Sequence, residues 1–229
     1  MTSYKGPSDF DSISARDQEA AMAKLWAAHG HPHAVDWAAV AGVVRGGELR
    51  FIAKNRDFEA VDGLLRAGLP PAAFAEAASQ QAMCGHVFAQ YFLDRVDLAG
   101  NQDHLTAALY AACERREHGA MVPVVRRLLA LGADPSRPHG NSTPLGAALL
   151  HDHHVAEVLL VHGARPDAQQ LRGAIMSGSL VNAALLLAHG APMEGVDALI
   201  EEGKAAKQKA KQATAIAMEA LVKEARERR

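Results

Sequence analysis

Aromatic side chains make up only 5% of the 229 residues, and cysteine occurs twice, at Cys84 and Cys113. Two cysteines with no C-x-x-C spacing argue against a disulfide framework or a structural zinc site. β-branched residues are also scarce, with 5 Ile and 4 Thr against 47 Ala. That shortage disfavours sheet, and alanine favours helix because it loses no side-chain entropy there. Long apolar runs are missing too. The run 183–188 is far short of the ~18 residues that span a bilayer. Met1 to Phe10 has no apolar stretch of the kind a signal peptide carries. Neither sign of charge dominates: 24 Lys+Arg face 26 Asp+Glu, a net −2. No global field therefore draws the chain to nucleic acid or to an anionic membrane. The expectation is a cytoplasmic, reduced, all-α protein of one large domain or two small ones.

What is abundant is histidine, with 12 copies, so full protonation would carry the net charge from −2 to +10. A short phrase also recurs. It reads Leu64-Leu65-Arg66-Ala67-Gly68, then Leu128-Leu129-Ala130-Leu131-Gly132-Ala133-Asp134-Pro135. It returns at Leu159-Leu160-Val161-His162-Gly163-Ala164-Arg165-Pro166 and at Leu186-Leu187-Ala188-His189-Gly190-Ala191-Pro192. The glycines are 64, 31 and 27 residues apart, close to multiples of one period. Paired leucines bury one face of a short helix, and glycine ends it by taking the left-handed conformation cheaply. Upstream of the third copy, Thr143-Pro144-Leu145-Gly146-Ala147-Ala148 reads as a helix start, with Thr as cap and Pro in the first turn.

Helix, tight turn, helix, glycine and loop at this period is similar to the ankyrin repeat, with its T-P-L-H-x-A and L-L-x-x-G-A-D phrases. The resemblance covers residues 40–193, in five units: 40–70, 71–102, 103–136, 137–167 and 168–193. The copies depart from the pattern in three places. Gly146 stands where the family has histidine, Val96 lies where the second unit should have its glycine, and Glu114–His118 is inserted in the third unit. Residues 1–10 are expected to be disordered. Residues 11–39 should supply N-terminal capping helices or a divergent repeat, with helices over 11–29 and 34–45. Residues 194–229 should form one long C-terminal helix, starting at Val196, with Ile200, Ile216 and Val222 among its apolar positions.

The resemblance implies an ankyrin-like solenoid of stacked helix-turn-helix repeats that binds another protein and is not an enzyme. Occlusion or tethering of a partner is the expected role. The Ala-, Arg- and Gly-rich usage suggests a high-GC bacterial source, where an immunity protein neutralising a toxin or effector enzyme is one form of it. Candidate partner-binding residues are Tyr110, Arg115, Arg116, Arg137, His139, Asn141, Arg165 and Asp167, because arginine pairs bidentately with carboxylates on an acidic surface. No cofactor is implied: the chain lacks G-x-x-x-x-G-K-[ST], G-x-G-x-x-G and H-E-x-x-H.

Two other readings compete. His29-Gly-His31-Pro-His33 and His151-Asp152-His153-His154 have the look of metal ligands, so a metal-binding protein or metal-dependent hydrolase is one alternative. Against it, His162 and His189 sit beside stop glycines, where imidazole bonds free helix-end carbonyls. Self-association through the C-terminal helix is the other, and otherwise a monomer or weak homo-oligomer is expected. Both cysteines read as packing residues rather than nucleophiles.

Overall fold

Short helices with polar caps dominate the computed structural model, which describes residues 35–44, 48, 49, 51, 52, 55, 57–70, 73, 86–95, 98, 100–116 and 119–228. Eleven named helices and no strand occur among the described residues, as the composition predicts. Their contacts divide into two compact units, one of residues 1–115 with 123–134 and one of 116–122 with 135–229. The helix predicted over 11–29 and the disorder predicted for 1–10 both fall outside the described residues.

The first unit holds α1 (Trp37–Val43), α2 (Phe58–Arg66), α3 (His86–Leu93), α4 (Gln102–Cys113) and most of α5 (Val122–Ala130). Asp36, Asp57 and Asn101 cap the starts of α1, α2 and α4 with side-chain oxygens, which satisfies N–H groups that have no partner within the helix. Val61, Leu64, Phe92, Leu105, Leu109 and Leu128 are fully buried, each stabilising by roughly 1.5–3 kcal/mol. Gly63 gives the indole of Trp37 its place, since a Cβ there would stand 2.3 Å from the ring. On the outer side, Tyr91 donates to the Phe58 carbonyl at 3.0 Å, and Arg95 bonds Asp62 at 2.9 Å while lying 3.6 Å over the Tyr91 ring. No glycine directly follows α3 in the sequence. Helix α3 ends at Leu93, and the glycine with positive φ comes later, Gly100 beside the α4 cap.

The second unit holds α6 (Pro144–His151), α7 (His153–Val161), α8 (Ala168–Met176), α9 (Leu180–Ala188), α10 (Val196–Lys204) and α11 (Lys209–Glu227). α6 pairs with α7 and α8 with α9, while α10 and α11 pack on that second pair and on each other. Gly163 and Gly190 end α7 and α9 with φ of +92° and +80°, the role read from the repeated phrase.

The single C-terminal helix expected over 194–229 is corrected to a hairpin of α10 and α11, broken at 205–208. Local propensity favours an unbroken helix in this Ala- and Lys-rich stretch. Tertiary burial overrides it, because folding back covers Ile200, Ala215, Met218 and Val222. Gly203 permits the close approach, since a Cβ there would lie 2.8 Å from that of Ala215. Gln212 donates to the Ala206 carbonyl at 2.8 Å across the turn. Lys204 bridges Glu201 and Glu219, and Arg226 pairs with Asp197. Of the apolar stripe that self-association needed, Val196, Ile200 and Val222 are buried, Leu199 and Leu221 are half-buried and Ile216 stays exposed.

Candidate functional site

Two loops carry most of the predicted partner-binding residues of the second unit. The first contains a tight turn in which the His139 N–H donates to Ser142 at 2.8 Å and the Ser142 N–H returns the bond at 3.3 Å. Gly140 takes a φ of +59° at its tip. Thr143 then caps α6, its hydroxyl oxygen accepting from the Gly146 N–H at 3.1 Å. The second loop runs from Gly163 to Asp167. It is tied to the first by the Arg165 N–H, which donates to the Ser136 hydroxyl at 3.2 Å. Asp167 and Gln170 form a reciprocal capping box at the start of α8. Gln170 also donates to the Thr143 hydroxyl at 3.2 Å, and Asn182 donates to the Leu149 carbonyl at 2.8 Å.

These bonds frame a groove of about 320 Å³ whose lining includes Asn141, Gly146, Leu150, Asp167, Gln169 and Gly173. Asn141 and Gln169 are exposed amides with no hydrogen bond among the described residues. A side chain at Gly173 would meet nothing within 4 Å, so the floor is open there. Leu150 is 78% exposed and Met176 is 76% exposed. Large apolar side chains that stand in water at this level mark an interaction surface when they recur together.

The predicted residues do not all meet here. Asn141 and Asp167 line the groove, and Arg137, His139 and Arg165 belong to its two loops. Arg116 donates to Nδ1 of His151 at 3.2 Å, at the end of α6. Tyr110, half-buried on α4, and Arg115, whose side chain donates to the Ala111 carbonyl at 3.3 Å, belong to the first unit. Sequence reasoning missed Leu150, Gln169, Gly173 and Met176. A signal for two of them exists. Aligning the helices on buried Leu105, Leu145 and Leu171 places Tyr110, Leu150 and Met176 at one register position.

The second histidine cluster has a different structural centre. Asp152 is buried between α6 and α7. One carboxylate oxygen accepts from the His154 N–H at 3.0 Å and the other from the Gly119 N–H of the inserted loop. The rings of His153 and His154 lie 4.1 Å apart. Among the described residues no three His, Cys, Asp or Glu side chains gather as a metal site requires, and His29 to His33 and His118 lie outside them. His162 caps the end of α7, its Nδ1 2.8 Å from the Val158 carbonyl. Burial pushes the thiol of Cys113 far up, so it stays protonated at neutral pH. Cys84 lies outside the described residues. No described helix is long and apolar enough to cross a membrane.

No protein-family model, no curated protein and no solved structure matches the chain.

Proposed function

We propose that the chain is a non-enzymatic binding scaffold of the ankyrin type, which occludes or tethers a partner protein through the groove of its second unit. The observation that carries this is Leu150, 78% exposed in the lining of an open groove beside the exposed amides of Asn141 and Gln169. Interface cores are built from such apolar anchors, ringed by polar groups that fix register. The repeat reading is supported by side-chain bonds that join positions about one period apart. Tyr91 to Phe58, Arg95 to Asp62 and Asn182 to Leu149 each span 33 residues. Neutralising a toxin or effector enzyme in the cytoplasm is one form that occlusion takes. Cation-bearing loops at Arg137 and Arg165 suit an acidic rim on the partner.

The test is capture with the full chain as bait in an extract of its own cells. A stoichiometric partner is expected with the native sequence. Leu150→Asp should weaken its capture by about tenfold or more, since about 1.4 kcal/mol is tenfold in affinity. Failure to retain any stoichiometric partner, or retention indifferent to Leu150→Asp, overturns the reading.

A further inference from the structure

A second cavity, of about 500 Å³, opens in the second unit where the turn from α8 to α9 faces the C-terminal hairpin. Built binding sites commonly have volumes of roughly 300–1,000 Å³. Its floor is apolar and recessed, with Ile175, Ile200 and Met218 all buried. Two charged side chains line it, Glu202 and Lys211. Neither has an ion-pair partner among the described residues.

The chain segment that borders the recess, 204–211, is rich in lysine and carries no acidic residue. Lys207 and Lys209 stand exposed in the adjoining turn and at the start of α11, and neither is paired. Only Lys204 is used, by Glu201 and Glu219. The 19-residue α11 begins with no acidic residue in its first turn and no side-chain bond from its cap, Gln208. Its free N–H groups add partial positive charge at the same place. Lys207, Lys209 and Lys211, each without an ion-pair partner among the described residues, thus cluster along the turn and helix start that border the recess, against one such glutamate, Glu202.

We infer that this recess is a second docking site, taking an acidic protein segment that inserts one apolar side chain and lays carboxylates on Lys207, Lys209 and Lys211. It extends the scaffold reading above to a second recess, which meets the groove at Ser177 and stands on its own observations. A recess of this shape receives a protruding side chain, whereas a flat bilayer cannot reach buried Ile200 and Met218. Salt should weaken the contact, because the lysines are exposed and screened within about a Debye length. The apolar anchor supplies the part that salt leaves in place.

A random-peptide display library selected on the full chain tests the site. The expected result is an enriched apolar residue flanked by acidic ones. Affinity of such a peptide should fall about tenfold on Lys207→Glu/Lys211→Glu, and by a similar factor on Ala206→Phe, which fills the recess. Leu150→Asp should leave it unchanged. Equal binding when the peptide's apolar residue is alanine, or indifference to both recess variants, overturns the inference. So does selection of no acidic consensus. Binding to phosphatidylserine vesicles in place of peptide overturns it in favour of a membrane contact. Peptides lost on Leu150→Asp alone would sink this site and leave the groove standing, whereas failure of the partner capture described above bears on the groove alone.

Discussion

Asp152 is one side chain with two structural duties, since it caps α7 through His154 and holds the inserted loop through Gly119. Replacing it with alanine strips one helix cap and leaves a second N–H without its acceptor. Asp152→Ala should therefore lower stability by about 2–3 kcal/mol in urea denaturation, and an unchanged midpoint would show that water replaces the carboxylate. Asp62 gives a pH-dependent counterpart. Burial raises its pKa, but the polar Tyr91 hydroxyl beside it, the hydrogen bond from Arg95 and the nearby Arg95 and Arg66 charges outweigh that and leave it below the ordinary 3.8. A carboxylate with a lowered folded pKa adds stability that is complete above its unfolded value and lost as pH falls through its folded one. Asp62 and Arg95 are both more than a third exposed, so screening holds the contribution to about 0.5 kcal/mol. Native protein and Asp62→Asn should differ by about that amount at pH 6, and the gap should close on acidification below about pH 4. A gap that persists there would dismiss the carboxylate as its source.

At the scale of elements, two helical glycines predict opposite outcomes. Gly173 faces open space in α8, so Gly173→Ala should stabilise by up to about 1 kcal/mol through helix propensity alone. Gly203 sits where α10 meets α11, and its Cβ would lie 2.8 Å from that of Ala215. Gly203→Ala should instead destabilise by about 1 kcal/mol or more, because overpacking outweighs propensity. Thermal melts of the two variants decide the matter, and a stabilising Gly203→Ala would refute the hairpin packing. The same pair shows what the sequence could convey. Helix stops at Gly68, Gly132, Gly163 and Gly190, the cap at Thr143 and the helix-end role of His162 were legible because each is a local event. The break at 205–208 was not, since no residue there stops a helix and only burial of Met218 and Val222 against α10 decides it. The groove was half legible. Asn141 and Asp167 announce loops, but Gln169 and Gly173 acquire meaning only once neighbouring helices are stacked.

For the molecule as a whole, the 12 histidines and a net charge of −2 make surface charge a function of mild acidity. With an isoelectric point near 6.6, the chain should migrate as an anion at pH 7.5 and as a cation at pH 5.5. Solubility should be lowest between them, where self-repulsion vanishes. Native electrophoresis at the two values checks this, and no reversal of direction would mean that many histidines stay neutral when acidified. A kinetic consequence follows from the spacing of the stabilising bonds. Among the described residues, the side-chain bonds between α2 and α3, α6 and α9, and the inserted loop and Asp152 each join positions 33 apart. Each such closure costs about 3 kcal/mol of chain entropy, a sum that grows only as the logarithm of loop length. These four bonds therefore ask for closure of only short stretches of chain. Within the second unit, order can begin in the α6–α7 or the α8–α9 pair and does not wait on a remote segment, so stopped-flow refolding should show these helices forming early.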